Sequence, residues 1–231
     1  MIWEGAEALL SQLDRWRPAG WVEHEGGGLQ VCHAPSVGPQ AYLHWLYPGL
    51  PEDRLAQTEA AYDRPLPGEY RRFLAWANGA RLFGHLGLRG SHVRGLDREA
   101  SDRSGAGMGQ PVSLDYGNRI GRPAGAPATA WVIGTISGYS GQGHLLLRQD
   151  GSVTLCALSD AQDVACSWGS FGEMLLSEFD RMAALVGDRG EAPESSVEFL
   201  PETARRWESP SRGPSALDRL RSLVRPRLPR P

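Results

Sequence analysis

The residues that could do chemistry are few, and each sits in a pattern that stops short of a working device. Gly138-Tyr139-Ser140-Gly141-Gln142 nearly spells a nucleophile elbow, with His144 close by as a base. That elbow needs glycine where Gln142 stands and a helix after the turn, whereas this segment leads into an apolar, strand-like run with no acid placed to orient the histidine. Gly105-Ala106-Gly107-Met108-Gly109 invites a dinucleotide reading, but it lacks a preceding strand, a following helix and the glycine that Gln110 replaces. The six histidines, at 24, 33, 44, 85, 92 and 144, have neither HxH nor HxxxH spacing, so no metal site and no cofactor is expected. Glu52-Asp53 and the Asp160/Asp163 pair read as helix or turn residues on solvated faces. Cys32, Cys156 and Cys166 are far apart with no CxxC, and Cys32 and Cys156 lie in apolar runs as small buried hydrophobes. All 24 basic residues are arginine, for which a GC-rich bacterial genome is the plain cause; lysine chemistry is unavailable. The expectation is a protein that is not an enzyme. A small hydrolase using the 137–144 turn is the alternative.

The elements that must position these residues can be read from periodicity. Residues 2–17 space Trp3, Ala6, Leu10, Leu13 and Arg17 for one helix face. LQVCHA (29–34) and YLHWLY (42–47) read as strands, and Pro48-Gly49 as a turn. Helices follow over 50–64 and 67–78, the second opened by Leu66-Pro67 and closed by Asn78-Gly79, with Tyr70, Phe73, Leu74 and Ala77 on its apolar face. Residues 82–88 supply one or two short strands. From 89 to 128 the chain is rich in Gly, Ser, Pro and charge, and reads as a long excursion with one short strand near Val112–Tyr116. Three strand segments fill 130–136 and 144–158, with a hairpin at Asp150-Gly151. A last helix over 170–186 opens with a Ser170/Glu173 capping box and buries Phe171, Leu175, Phe179, Met182 and Val186. Trp45, Trp76, Trp131, Trp168 and Tyr139 are core candidates, or partner anchors should they prove exposed on one face. The fold class is α+β, a mainly antiparallel sheet flanked by helices.

The stretch from Leu55 to Gly90 resembles the core signature of the SUKH superfamily, known for the Knr/Smi proteins of fungi and many bacterial immunity proteins. The matching positions are Glu59, Leu66, Pro67, Tyr70, Phe73, Leu74, Asn78, Gly79 and the strand at Leu82-Phe83-Gly84. The hairpin after residue 130 and the Ser170-Phe171 helix follow in the family's order. The resemblance implies a twisted antiparallel sheet flanked by helices over 1–186, with 91–128 as an excursion. It also implies a protein partner, a toxin domain neutralised by direct binding through the sheet face or the excursion. Glu59 has two open roles: accepting hydrogen bonds from free N–H groups near Pro67, or touching a partner.

Charge is uneven along the chain. Residues up to Val186 hold 15 arginines against 20 acids, while residues from Ser209 hold six arginines and one acid. The body's negative balance would suit a basic toxin such as a nuclease. Residues 187–231, rich in Pro, Ser, Glu and Arg, read as a disordered tail with helical turns near 196–208 and 215–224. That tail either solubilises the protein or acts as an adaptor for anionic partners, although it has no aromatic residue among its last 23 to stack on a base, which argues against nucleic acid. No membrane-length apolar run occurs, and the acidic N-terminal segment is unlike a signal peptide, so a cytoplasmic protein is expected.

Overall fold

The computed structural model describes residues 3–24, 26–35, 41–91, 110–137, 142–193 and 195–207. Among the described residues nine strands pair in strict sequence order, each antiparallel to the next: β1 (Trp21–Glu23), β2 (Leu29–His33), β3 (Tyr42–Pro48), β4 (Ala77–Leu82), β5 (Leu86–Leu88), β6 (Trp131–Ser137), β7 (Gln142–Leu147), β8 (Val153–Ala157) and β9 (Val164–Trp168). The sheet does not close, so β1 and β9 are its edges. Among the described residues, four α-helices of two turns or more accompany it: α1 (Ala6–Leu13), α2 (Glu52–Tyr62), α3 (Gly68–Trp76) and α4 (Phe171–Ala183).

One core forms between the helices and one face of the sheet. It joins Leu9, Leu13 and Trp16 to Tyr70, Phe73 and Leu74 of α3, to the α4 stripe, and to inward strand residues such as Leu46, Leu82, Ile133 and Leu145. Phe171, Leu175, Phe179 and Met182 of α4 are buried as expected, and so is Val186 just beyond its end. A smaller cluster, Ala130, Val132, Leu146, Cys156 and Ala161, lies apart from the main core.

Several local expectations need correction. The N-terminal helix spans only Ala6–Leu13, and Pro18 lies in the 3-10 stretch that follows, Asp14–Ala19. Asn78 and Gly79 do not end α3. The helix stops at Trp76, Ala77 turns extended (φ −141°), and both residues belong to β4. Gly79 does need its positive φ of +89°, but for a different reason: a Cβ there would stand 2.7 Å from the Leu88 carbonyl oxygen on the neighbouring strand. Val112–Tyr116 is not a strand; Ser113 makes an isolated bridge to Gly90, and a kinked turn follows over Asp115–Asn118. Of the four core-candidate tryptophans only Trp131 is fully buried, whereas Trp3 and Trp16 are core tryptophans. The helical turns expected near 196–208 are present as 3-10 turns over Ser196–Phe199 and Glu202–Trp207, but they place Phe199, Leu200 and Ala204 in the core, so this stretch packs on the body and does not belong to a disordered tail. Tyr139, Ser140, the glycines at 105–109 and residues 208–231 lie outside the described residues, as does His92.

Candidate protein-binding site

The positions shared with the SUKH signature tie elements together. Glu59 Oε1 accepts from the Leu66 N–H at 3.0 Å and from Arg71 Nε at 3.3 Å, which joins α2 to the entry of α3. Leu66 and Pro67 are buried, and Pro67 is the N-cap of α3. The Tyr70 hydroxyl, fully buried, donates to the Arg89 carbonyl at 2.5 Å with the Ile133 carbonyl at 3.2 Å. Burial in an apolar core pushes its phenol well above the ordinary value. Asn78 pairs with Ser91 through both ends of its amide, at 2.7 and 3.2 Å. Ser170 Oγ accepts from the Glu173 N–H at 3.1 Å, while Glu173 reaches back to Gly169 N at 2.8 Å. Phe171 packs edge-on against Trp3 and Tyr70 and tilted against Phe73. Glu69, missed in the sequence, completes this end: its carboxylate accepts from the Phe171 and Gly172 N–H groups at 3.1 and 2.9 Å, where the free amides and dipole of α4 favour an anion.

Of the residues considered for chemistry, Ser140 lies outside the described residues, while His144 is placed on β7. His144 stands cross-strand from Cys156. Burial holds the imidazole down to about 4 and the thiol up to about 12, the reverse of a thiolate–imidazolium pair. Among the described residues no three His, Cys, Asp or Glu side chains are grouped as metal ligands would be. A cleft of about 250 Å³ beside β1, lined by Leu10, Trp21, Leu29, Leu46 and Trp76, is below the size typical of small-molecule sites.

What the structure displays is a loop. Among the described residues four large hydrophobics are exposed: Val112 (56%), Tyr116 (54%), Ile120 (60%) and Leu158 (39%). Three belong to residues 112–120, and Leu158 adjoins Ser159, whose carbonyl accepts from the Ala124 N–H at 2.9 Å. The loop is pinned from beneath. Leu114 enters the core at 1% exposure. Asn118 behaves like an added strand residue, accepting from Val132 N at 3.0 Å and donating to the Val132 and Leu114 carbonyls at 2.8 and 2.9 Å. Gly117, at φ +84°, lies so close to β6 that a Cβ would meet Val132 Cγ1 at 2.5 Å. The Tyr62 hydroxyl donates to Asp115 at 2.9 Å, and Arg119 bonds the Ala61 carbonyl at the end of α2. Apolar side chains on a pre-fixed backbone can be covered by a partner without first ordering the loop, which lowers the entropic cost of binding. The sequence signal here was weak: Val112, Leu114 and Tyr116 alternate like a strand, and nothing marks Leu114 as the one that turns inward.

Fold and site thus define an α+β domain that presents a surface. The chain belongs to the SMI1 / KNR4 family (SUKH-1), whose model matches residues 49–177, from the turn before α2 into α4, and so includes this loop. No curated protein and no solved structure matches the chain. Among the described residues no helix is long and apolar enough to cross a membrane.

Proposed function

We propose that the chain is a non-enzymatic binding domain that acts as an immunity protein, neutralising a toxin domain by direct contact within the producing cell. The observation that carries this reading is the pinned 112–120 loop with Val112, Tyr116 and Ile120 facing solvent. Family membership supports it, since the superfamily resembled by this chain includes many bacterial immunity proteins. Burial keeps both His144 and Cys156 neutral, which speaks against a thiolate–imidazolium nucleophile; a small hydrolase using the 137–144 turn is the alternative reading. The test is to co-purify the full chain with the product of a neighbouring toxin-like gene and to assay protection of cells that express it. A stoichiometric complex with protection supports the role. A folded chain that neither binds nor protects removes it.

A further inference from the structure

We propose that the partner segment received by the 112–122 loop is acidic as well as apolar: its carboxylates seat against Arg64 and Arg122 while its apolar side chains cover Tyr116 and Ile120. This rests on the protein-binding reading above and adds the partner's chemistry. It also reverses what the body's overall charge suggests, because the local field at the loop differs in sign from the global one.

The cations at this site have no counter-charge among the described residues. Arg64 donates to the Ala128 and Ala130 carbonyls and to Asn118 Oδ1. Arg122 donates to the Pro127 and Ala130 carbonyls. These acceptors are neutral, so they position the guanidinium groups without neutralising them. The nearby carboxylate of Asp115 is already engaged by Tyr62 at 2.9 Å and by Arg119 at 3.4 Å. Arg64 and Arg122 share one acceptor, the Ala130 oxygen, at 3.1 and 2.9 Å, so two cations stand side by side. Arg64 Nε and Arg122 Nη1 are buried and have no hydrogen-bond partner, although each residue as a whole is partly exposed. The Arg64 guanidinium carbon also lies over the Trp131 ring, 4.0 Å from its centroid. Burial and the neighbouring Arg122 both weaken its hold on the proton, as expected of a like-charge pair. An arriving carboxylate relieves that repulsion at two guanidinium groups whose positions are already fixed by neutral acceptors. Asn118 links Arg64 to the loop, and Arg122 follows the exposed Ile120 by two residues, so both cations adjoin the segment that carries the exposed apolar residues. A protein segment is favoured over nucleic acid, since the acidic balance of the body repels a long polyanion but leaves a short acidic segment under the local field.

The experiment is selection of a phage-displayed library of random dodecapeptides on the immobilised full chain, followed by affinity measurements on the enriched peptides. The proposal expects enriched sequences with Asp or Glu beside Leu, Ile, Phe, Tyr or Trp. It expects affinity to fall about tenfold in the Arg64→Gln/Arg122→Gln variant, and severalfold for the wild type between about 50 and about 500 mM NaCl. The salt series and Arg122→Gln alone decide the matter if the double variant does not fold. Enrichment of basic or uncharged peptides, affinity indifferent to salt and to these substitutions, or tighter binding of a poly-dT oligonucleotide at the same surface overturns it. Peptides that bind Tyr116→Ser/Ile120→Ser unchanged, or a library that yields none above that variant, refute the docking surface itself, a different failure from loss of the charge preference alone.

Discussion

His44 gives the folded body a built-in sensitivity to acid. It lies on β3 with no exposed surface, ringed by Trp16 at 4.9 Å, Phe83 at 4.5 Å and Phe179 at 5.5 Å between centroids. Neither ring nitrogen has a hydrogen-bond partner. Burial pushes the imidazole from its ordinary 6.5 down to about 3, so the folded protein keeps it neutral. The unfolded chain therefore binds a proton between these two values that the folded chain refuses. Stability is full above pH 6.5 and declines as pH falls toward 3. The loss from this one group reaches about 2 kcal/mol by pH 5, at 1.36 kcal/mol per pH unit. His144, held down to about 4, acts in the same direction, so the test must be a difference. Urea denaturation followed by tryptophan fluorescence at pH 7.5, 6 and 5 should be run on the wild type and His44→Leu. The variant should be at least as stable at pH 7.5, because it removes an unpartnered buried polar ring. By pH 5 the gap in its favour should widen by about 2 kcal/mol. Equal pH dependence in the two proteins would refute the reasoning.

Three further perturbations probe the frame. Tyr70→Phe leaves the Arg89 and Ile133 carbonyls without their shared donor and should cost about 1–3 kcal/mol in chemical denaturation. Gly79→Ala forces a side chain into positive φ and against the Leu88 carbonyl; a loss above about 1 kcal/mol is expected, and unchanged stability would contradict the register of β4 with β5. Asn118→Ala removes the amide that docks the loop on β6, so amide exchange across 113–120 should accelerate while the α4 amides stay protected.

Much of the frame was legible because its signals are local. The α4 stripe repeats at helical spacing, and Asp150-Gly151 turns between two apolar runs with Gly151 at φ +89°. Asn78-Gly79 misled because a left-handed glycine marks either a helix end or a close strand approach, and only the neighbouring β5 backbone distinguishes them. β1 and β9 escaped notice because WVE is too short to show a period and VACSW is only half-buried. Trp45, Trp76 and Trp168, core candidates in the sequence, are half-buried, because tryptophan's large amphipathic ring also suits partial exposure. The candidate site was the least legible part. Its rigidity comes from Asn118 meeting Val132 and from Tyr62 meeting Asp115, contacts between residues that the chain order keeps apart.

The most direct test of a binding domain that works through the 112–120 loop is the affinity of the co-purified toxin partner for three folded chains: the wild type, Tyr116→Ser/Ile120→Ser, and Trp76→Ser in the cleft beside β1. The account predicts a loss of at least about tenfold for the loop variant and little change for the cleft variant. Full affinity in the loop variant, with the loss falling on Trp76→Ser, would contradict it.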